Sequence, residues 1–276
     1  MDPDRVQAKV LRSPSPVSGV GHAASGREPQ THRARELCHT ISIIVSVGQE
    51  TRADGIRAMF DQIAPRYDTA NSVFSLDRDR AWRRRAAQLT GLQPGQTALD
   101  LCTGTGKLAH ELVPLVRPGG RVVGIDFSPG MLALARAREP DIEFRQGDVT
   151  RLVEADASVD AVTIGFGLRN LVDRDAALRE MRRVLRPGGR LVVLEFAPPT
   201  GPLMAAYRFY LGRVMPAVVR LSSASEASAY RYLAQTVEGF PQPTVLAREL
   251  DAIGFDVEVQ RMTIGIVAFH VGVRRD

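Results

Sequence analysis

The sequence predicts an α/β fold in which a mostly parallel β-sheet is covered by helices on both faces. Apolar runs typical of buried strands alternate with helical patterns between residues 97 and 196, as in parallel sheets with crossover helices. The chain then ends in two strand patterns close enough to pair as an antiparallel hairpin at the sheet edge. Among its 276 residues 44% are hydrophobic and 24% charged, which is ordinary globular composition and excludes a wholly disordered or fibrous chain.

The first fifty residues differ from the rest of the chain. Residues 12–35 are rich in Ser, Pro, Gly, Arg and His and show neither helical nor strand periodicity. Such a segment buries too little apolar surface to offset the entropy cost of ordering it. We therefore expect residues 1–50 to be a disordered extension or the product of an over-long gene start, and residues 51–276 to form one domain.

Two helical segments precede the alternating region. Apolar residues recur at helical spacing from Ile56 to Ile63, until Pro65 interrupts the pattern. A second helix is predicted over Asp79–Leu89. Together these segments predict a helical cap, residues 51–93, ahead of the sheet.

The alternating region predicts the elements of a seven-stranded sheet. Residues 203–238 are helical in pattern and break the alternation, so we expect them to form an inserted lid. The predicted strands are Thr97–Leu101, Arg121–Ile125, Ile142–Gln146, Val159–Ile164, Arg190–Phe196, Asp256–Met262 and Ile266–Arg274. The predicted sheet helices are Lys107–Leu115, Gly130–Arg138, Ala176–Leu185 and Val245–Ala252.

A glycine-rich turn follows the first predicted strand, just after Asp100. Gly104 and Gly106 have no side chains and therefore let a ligand approach the backbone. Open α/β sheets bind ligands at this carboxyl end of their strands. The spacing Gly104-x-Gly106-x-x-Ala109 also fits a dinucleotide-binding fingerprint, and the turn alone could serve only to join a strand to a helix.

Acidic residues follow the next two strands. Asp126 ends the second strand, where a carboxylate accepts hydrogen bonds from both ribose hydroxyls of a nucleotide-like ligand. Asp126 could instead cap the next helix, but Ser128 is better placed to do so. Asp148 follows the third strand and suits an adenine amino group, with Val149 against the ring. An ordinary turn aspartate is an equal alternative for Asp148.

These features occur in the order found in S-adenosylmethionine-dependent methyltransferases, which the sequence resembles. The Pro187-Gly188-Gly189 turn before the fifth strand is also frequent in that class. The glycine turn could also belong to a nicotinamide-dependent oxidoreductase. Such an enzyme would need a second nucleotide-binding half, whereas this chain has a terminal hairpin in that place. The resemblance implies the class I methyltransferase fold, which is Rossmann-like, and S-adenosylmethionine as the cofactor.

Further segments resemble the quinone C-methyltransferases of menaquinone and ubiquinone biosynthesis. The resemblance extends over about residues 54–275. It implies C-methylation of a prenylated quinol, which we expect to be demethylmenaquinol. A ubiquinone precursor or another small phenol is the alternative acceptor. The segments that carry the resemblance are Phe60–Asn71, Phe166–Asn170, Glu226–Leu233, Phe240-Pro241 and Gly265–His270.

The resemblance also implies which residues form the site. Arg169 is expected to stabilise a developing quinolate, because a guanidinium stays charged and cannot readily act as a base. Asn170 would orient the quinol hydroxyl and Tyr67 would contact the ring. A surface ion pair with Asp173 is the alternative for Arg169. The expected cofactor-binding residues are Asp100, Gly104, Thr105, Gly106, Asp126, Asp148 and Val149.

Two residues depart from the family pattern. Lys107 lies where the family often has an acid after the glycine turn, which puts a contact to the methionine amino group in doubt. Gly165 lies where a small hydroxyl residue is common, so a hydrogen bond that such a hydroxyl could form is absent. Both predicted nucleoside-binding acids are present, so the cofactor prediction stands. His270 is expected to be a structural histidine of the last strand.

The net charge of +5, from 36 basic and 31 acidic residues, raises the alternative of nucleic-acid binding. The excess is spread along the chain, with six basic and five acidic residues through Glu50, so no basic groove is indicated. We therefore expect no nucleic-acid partner. The two cysteines, Cys38 and Cys102, and the scattered histidines show no metal-ligand spacing, so no metal is expected.

The expected substrate also suggests where the protein works. No apolar run approaches the roughly 20 residues that span a bilayer. A prenylated quinol nevertheless lies in the membrane, so we expect a cytoplasmic protein that transiently contacts the inner membrane surface. Trp82 and the arginines beside it are the candidate contact, with a solvated helix face as the alternative. Assembly into a homodimer is a further expectation.

Overall fold

The computed structural model describes part of the chain. The disordered extension predicted for residues 1–50 lies outside the described residues, as does most of the predicted insertion at 203–238. The division of the chain into extension, cap, sheet and lid therefore stays a prediction. The described residues are 52–65, 67–68, 72, 75, 77–197, 213, 232 and 235–276.

The elements of the described chain alternate as the sequence predicts. A short 3₁₀ helix, Leu168–Asn170, follows the fourth strand. The strands are β1 (Thr97–Leu101), β2 (Arg121–Asp126), β3 (Glu143–Gln146), β4 (Val159–Gly165), β5 (Leu185–Phe196), β6 (Phe255–Met262) and β7 (Val267–Arg274). The helices are α1 (52–65), α2 (Arg78–Leu89), α3 (Lys107–Val116), α4 (Pro129–Arg138), α5 (Arg174–Val184) and α6 (Pro243–Ala252).

The strands form one seven-stranded sheet in the order β3-β2-β1-β4-β5-β7-β6. Strands β1 to β5 pair in parallel, whereas β7 is antiparallel to both β5 and β6. The predicted fold class is thus confirmed, including the terminal hairpin.

The apolar runs of the sequence form the two faces of this sheet. Leu99 and Leu101 of β1 and all of Leu191–Leu194 in β5 are fully buried, because helices cover the sheet on both sides. Burying each such leucine contributes about 1.5–3 kcal/mol. The chain passes from β1 to β2 on one side of the sheet and later returns to β4 on the other. The carboxyl ends of β1 and β4 therefore border a cleft.

The start of β5 differs from the prediction. The Pro187–Gly189 turn was expected between a helix and a strand that begins at Arg190. In the structure β5 begins at Leu185, and the turn bulges out within the strand. Val159 of β4 pairs with Leu185, whereas Ala161 pairs with Arg190, so the bulge absorbs the intervening residues.

The predicted membrane contact at Trp82 is wrong. Trp82 on α2 is 3% exposed and packs against Phe166 and Phe196. Its indole N–H donates to Oγ1 of Thr263, 2.8 Å away. The next residue, Arg83, is also buried and pairs with Asp79 one helical turn earlier. Trp82 is therefore a buried residue of the arginine-rich helix α2, and it anchors this helix to the terminal hairpin.

Candidate active site

A cavity opens at the carboxyl ends of β1 and β4, where α1 covers the edge of the sheet. Its volume is about 420 Å³, which is within the usual range for small-ligand sites. The loops after the first four strands form its other walls. Residues that line it include Ile56, Phe60, Tyr67, Cys102, Gly104, Asp126, Phe127, Asp148, Val149, Gly165, Phe166 and Asn170.

The two glycines of the turn have different surroundings. Gly104 lines the cavity with a φ of 57°, and a Cβ added to it would point into open space. Gly106 begins α3 with a φ of 80°, and an added Cβ would lie 2.8 Å from Cζ of Phe144. Gly104 thus leaves room for a ligand beside the backbone, whereas Gly106 leaves room for the packing of α3 against the sheet.

Asp126 lies at the centre of this cavity wall. Its Oδ2 accepts a hydrogen bond from the backbone N–H of Gly104 at 2.8 Å, and Oδ1 accepts one from Ser128 at 2.9 Å. Burial penalises the charged form and raises the pKa of Asp126 to about 6 despite these bonds. A carboxylate has about four lone-pair sites, so it can still accept from two ligand hydroxyls.

Ser128 caps α4, as predicted. Its hydroxyl accepts from the backbone N–H of Met131 at 3.1 Å and donates to Oδ1 of Asp61. The same Asp61 oxygen also accepts from the N–H of Gly130 at 3.0 Å. The cap helix α1 is therefore fastened to the start of α4, beside Asp126.

Asp148 and Val149 both face the cavity. One carboxylate oxygen of Asp148, Oδ1, accepts from the backbone N–H and the hydroxyl of Thr150, each at 2.8 Å. The other oxygen has no hydrogen-bond partner among the described residues. Val149 is 5% exposed and adds an apolar surface beside it. This pair presents a hydrogen-bond acceptor next to an apolar side chain, which suits an adenine ring.

Three of the residues expected to bind the cofactor lie behind the cavity wall. Asp100 is 1% exposed and accepts from the hydroxyls of Thr103 and Thr163 at 2.6 and 2.7 Å. Burial raises the pKa of Asp100 to about 6. The hydroxyl of Thr105 donates to Asp68 at 2.8 Å, and Gly106 contacts the sheet. These residues support the glycine turn from the side that faces away from the cavity.

Lys107 has a different environment from the one that its position suggested. Its ammonium lies 3.4 Å from carboxylate oxygens of both Asp68 and Asp79. Arg138 on α4 also pairs with Asp68. Lys107 on α3 thus links Asp68, which follows α1, to Asp79 on α2, and it is not among the residues that line the cavity.

Of the residues expected to act on the acceptor, Tyr67 and Asn170 line the cavity and Arg169 does not. Tyr67 packs edge-on against Phe60, with ring centroids 6.0 Å apart. The amide of Asn170 donates to the backbone oxygen of Phe166 at 3.3 Å, and its buried Oδ1 has no partner among the described residues.

Arg169 lies behind Phe166 in a buried ion pair. Its Nη1 is 3.0 Å from Oε2 of Glu195, and the two side chains are 7% and 1% exposed. The alternative of a surface pair with Asp173 is wrong, because Asp173 caps α5 by accepting from the N–H of Ala176.

Carboxylates near the glycine turn make the electrostatic potential there negative. Burial, followed by the carboxylates of Asp126, Asp100, Glu195 and Asp148, raises the pKa of the Cys102 thiol well above its usual value. A negative field disfavours a thiolate and favours a cation. The room beside Gly104, the remaining acceptor sites of Asp126 and this field all fit a nucleoside ligand that carries a sulfonium.

Some features of the site were not predicted. Cys102 and Phe166 follow β1 and β4 with φ values of 50° and 58°, a conformation that is rare for residues with side chains and concentrated at functional sites. Gly167 permits this, because a Cβ there would lie 2.5 Å from Cβ of Cys102. Nothing in the sequence marks Cys102, whereas Asp61 lies in the Phe60–Asn71 segment and received no assignment.

His270 is structural, as expected. It is 1% exposed, and its Nε2 bonds to the backbone oxygen of Pro243 at 2.9 Å. Burial lowers its pKa to about 4, so the folded protein holds it neutral at physiological pH.

Sequence comparison relates the chain to known proteins. A profile of the ubiE/COQ5 methyltransferase family matches residues 46–274. A demethylmenaquinone methyltransferase from Thermus thermophilus is 48% identical over 221 residues, which cover 78% of this chain and 100% of that protein. Proteins of the same name from Renibacterium salmoninarum and Mycobacterium tuberculosis are 45% and 46% identical, covering 80% and 79% of this chain and 92% of each relative.

Solved structures show the same fold at low sequence identity. A methyltransferase from Haloferax volcanii, solved with the Trm112 methyltransferase activator, aligns with a TM-score of 0.57 at 19% identity and covers 79% of this chain and 98% of its own. A SAM-dependent methyltransferase from Thermotoga maritima aligns with a TM-score of 0.56 at 18% identity and covers 80% and 100%. The chain therefore belongs to the ubiE/COQ5 methyltransferase family and is an S-adenosylmethionine-dependent methyltransferase.

Proposed function

We propose that this enzyme methylates a ring carbon of demethylmenaquinol, which yields menaquinol. The observation that carries the proposal is one cavity that brings together Asp126 and Asp148, the acids expected to bind the nucleoside, with Tyr67 and Asn170. The relatives that share 45–48% of their residues with this chain bear the name of this activity. A quinol of the naphthalene type is therefore favoured over a ubiquinone precursor.

The residues of the chain would hold the cofactor at its nucleoside end. Asp126 would accept from the ribose hydroxyls, Asp148 would accept from the adenine amino group, and Val149 would pack on the ring. Gly104 keeps the backbone accessible beside them. When bound, S-adenosylmethionine supplies an electrophilic methyl carbon on a positively charged sulfur.

The other cavity residues would align the acceptor. The hydroxyl of a quinol titrates near pH 10 and activates the ring carbon ortho to it more strongly once its proton is shared or lost. Asn170 accepts a hydrogen bond from this hydroxyl through its Oδ1, and Tyr67 contacts the ring. Arg169 lies behind Phe166 in its ion pair with Glu195, so it would support this part of the site without contacting the acceptor.

The overall reaction balances without a further reactant. The ring carbon exchanges its C–H bond for a C–C bond to the methyl group, and the S–CH₃ bond breaks to leave a neutral thioether. One proton leaves to solvent. Because the leaving group is built into the donor, the protein contributes mainly alignment and exclusion of water.

Acceptor specificity tests the proposal. The enzyme would be incubated with tritium-labelled S-adenosylmethionine and reduced demethylmenaquinone, with a ubiquinone precursor and simple phenols as parallel acceptors. We expect label to pass to the naphthoquinol in preference to the other phenols. Absence of transfer to any naphthoquinol would refute the proposed acceptor.

We infer further that the terminal hairpin meets the membrane where the prenyl tail lies. Within the described ranges no helix combines the length and apolar character that a bilayer span requires. The β6–β7 turn lies at the ligand edge of the sheet, because Phe196 at the end of β5 pairs with Val267. Thr263 and Ile264 both have positive φ there, and Ile264 is 67% exposed.

Vesicle binding tests this surface. Ile264→Asp should weaken co-sedimentation with anionic phospholipid vesicles, because a carboxylate opposes both apolar insertion and the surface potential. Val153→Asp is the matched control, since Val153 is also apolar and 82% exposed but lies in the β3–β4 connection. Equal vesicle binding by the two variants would refute the hairpin as the contact.

A further inference from the structure

Glu195 is a charged residue at the end of an otherwise apolar strand. It follows four fully buried residues of β5 and is itself 1% exposed. Its position at the carboxyl end of β5 places it at the ligand edge of the sheet, although it does not line the cavity. Burying a carboxylate is costly unless it is paired and hydrogen-bonded, so its partners indicate what it does.

The partners of Glu195 all belong to two segments at the ligand edge. Oε1 accepts from the backbone N–H of Arg169 at 3.2 Å, and Oε2 accepts from that of Phe196 at 3.2 Å. Nη1 of Arg169 lies 3.3 Å from Oε1 and 3.0 Å from Oε2. One carboxylate therefore ties the 3₁₀ helix that carries Arg169 and Asn170 to the neighbouring strand.

Two aromatic rings lie near the guanidinium of Arg169. The guanidinium carbon of Arg169 lies 5.9 Å from the ring centroid of Phe166 and 5.4 Å from that of Phe196. The two rings are 4.6 Å apart, and Arg83 of α2 approaches Phe166 at 5.6 Å. In such apolar surroundings neither charge of the pair is screened by water, so each depends on the other for compensation.

The fields of both partners reach beyond the pair. Glu195 is among the carboxylates that raise the pKa of Cys102, which lines the cavity. The positive charge of Arg169 lowers the pKa of the Tyr232 hydroxyl. Burial raises that pKa by more, so it is raised overall. An Arg169 without Glu195 would therefore place an uncompensated positive charge next to a site for a cationic ligand.

We propose that Glu195 is a positioning residue of the methyl-transfer site: it fixes the segment that presents Asn170 and cancels the charge of Arg169, so that the sulfonium is not repelled. The inference depends on the S-adenosylmethionine dependence of the enzyme and not on the identity of its acceptor. It assigns to Glu195 an effect on the charged donor that a purely structural residue would lack.

The test compares the donor with its demethylated product. S-adenosylmethionine carries one positive charge more than S-adenosylhomocysteine at nearly the same shape. In Glu195→Gln the charge of Arg169 is uncompensated, so the Kd for S-adenosylmethionine should rise relative to that for S-adenosylhomocysteine by about three- to tenfold. Glu195→Asp keeps the charge and should retain the wild-type ratio. Both constants are measured by titration calorimetry on the full chain.

Two further variants make the test decisive. Glu249→Gln is the control, because it removes the carboxylate from another arginine–glutamate pair, the partly buried Arg174–Glu249 pair on α5 and α6. Its ratio should equal that of the wild type. Arg169→Gln should shift the ratio in the opposite direction from Glu195→Gln, because it leaves the negative charge uncompensated.

The outcomes separate this inference from the proposed acceptor. An unchanged ratio in Glu195→Gln would overturn the inference, whether or not demethylmenaquinol is methylated. If Glu195→Gln fails to bind either ligand, then Arg169→Gln decides, and a ratio equal to wild type there overturns it as well. A shifted ratio in an enzyme that does not methylate naphthoquinols would support Glu195 and refute only the acceptor.

Discussion

The replacement of Asp126 by asparagine should separate ligand binding from folding. Asp126 accepts from the N–H groups of Gly104 and Ser128 through its two oxygens. Asparagine has one oxygen and one NH₂ group, so one of these N–H donors would face another donor. The variant also loses the charge-assisted bonds that the carboxylate offers to ligand hydroxyls.

The effect on stability should be small because two contributions oppose each other. The pKa of Asp126 is raised from 3.8 to about 6, so at neutral pH its buried charge costs about 3 kcal/mol, which asparagine removes. The donor that loses its acceptor costs about 1–3 kcal/mol. The free energy of unfolding should therefore stay within about 2 kcal/mol of wild type.

The effect on binding should be large. A hydrogen bond to a charged group contributes about 1.5–3 kcal/mol, so the loss of one such bond weakens binding by about 10- to 150-fold. Titration calorimetry with S-adenosylhomocysteine measures the affinity, and urea unfolding measures the stability of the same preparations.

An aspartate at the opposite edge of the sheet provides the control for replacing a hydrogen-bonded aspartate by asparagine. Asp160 of β4 accepts from the N–H of Thr97 at 2.8 Å and lies far from the cavity residues in the sheet. Asp160→Asn should leave the affinity unchanged. If Asp126→Asn binds S-adenosylhomocysteine within twofold of wild type, Asp126 does not hold the nucleoside.

Further predictions concern packing, pH and the cap. Gly106→Ala should lower the free energy of unfolding in urea by about 2–4 kcal/mol, because its Cβ would meet Phe144; Gly95→Ala, with positive φ but open space, should cost only about 1–2 kcal/mol. The neutral His270, with its pKa lowered to about 4, stabilises the fold above pH 6.5 and loses this contribution as the pH falls toward 4. The wild type should therefore lose about 2 kcal/mol more than His270→Leu between pH 7.5 and 5, measured by denaturant unfolding at each pH. Asp61→Ala should speed dissociation of S-adenosylhomocysteine in stopped-flow by about tenfold, because α1 loses its bonds to α4.

The sheet was predictable because its strands are buried on both faces. An apolar run such as Leu191–Leu194 between turn residues has few alternatives to a central strand. The start of β5 was misplaced because a bulge keeps Leu185 in register while Pro187 and both glycines leave the ladder. A local turn signal cannot tell a loop between elements from a bulge within a strand.

The site residues that could be predicted are those marked by their neighbours in the sequence. Asp126 ends β2 and Gly104 lies in the turn after β1, so the topology alone places them at the ligand edge. The burial of Trp82 depends on Phe166, Phe196 and the hairpin, which are distant in sequence, and no local pattern encodes that contact.

Glu195 was overlooked although the sequence contains a signal for it. A carboxylate directly after Val193 and Leu194 at the end of a buried strand requires a partner, and an arginine follows the neighbouring strand. The ion pair of Arg83 and Asp79 could likewise have been inferred from their spacing of four residues on α2.

The position of the transferred methyl group is revealed by the reaction with ¹³C-methyl-labelled S-adenosylmethionine and reduced demethylmenaquinone. We expect the ¹³C spectrum of the product to show the labelled methyl group bonded to a ring carbon of the naphthoquinone. A labelled methyl group on oxygen, or no labelled naphthoquinone at all, would contradict it.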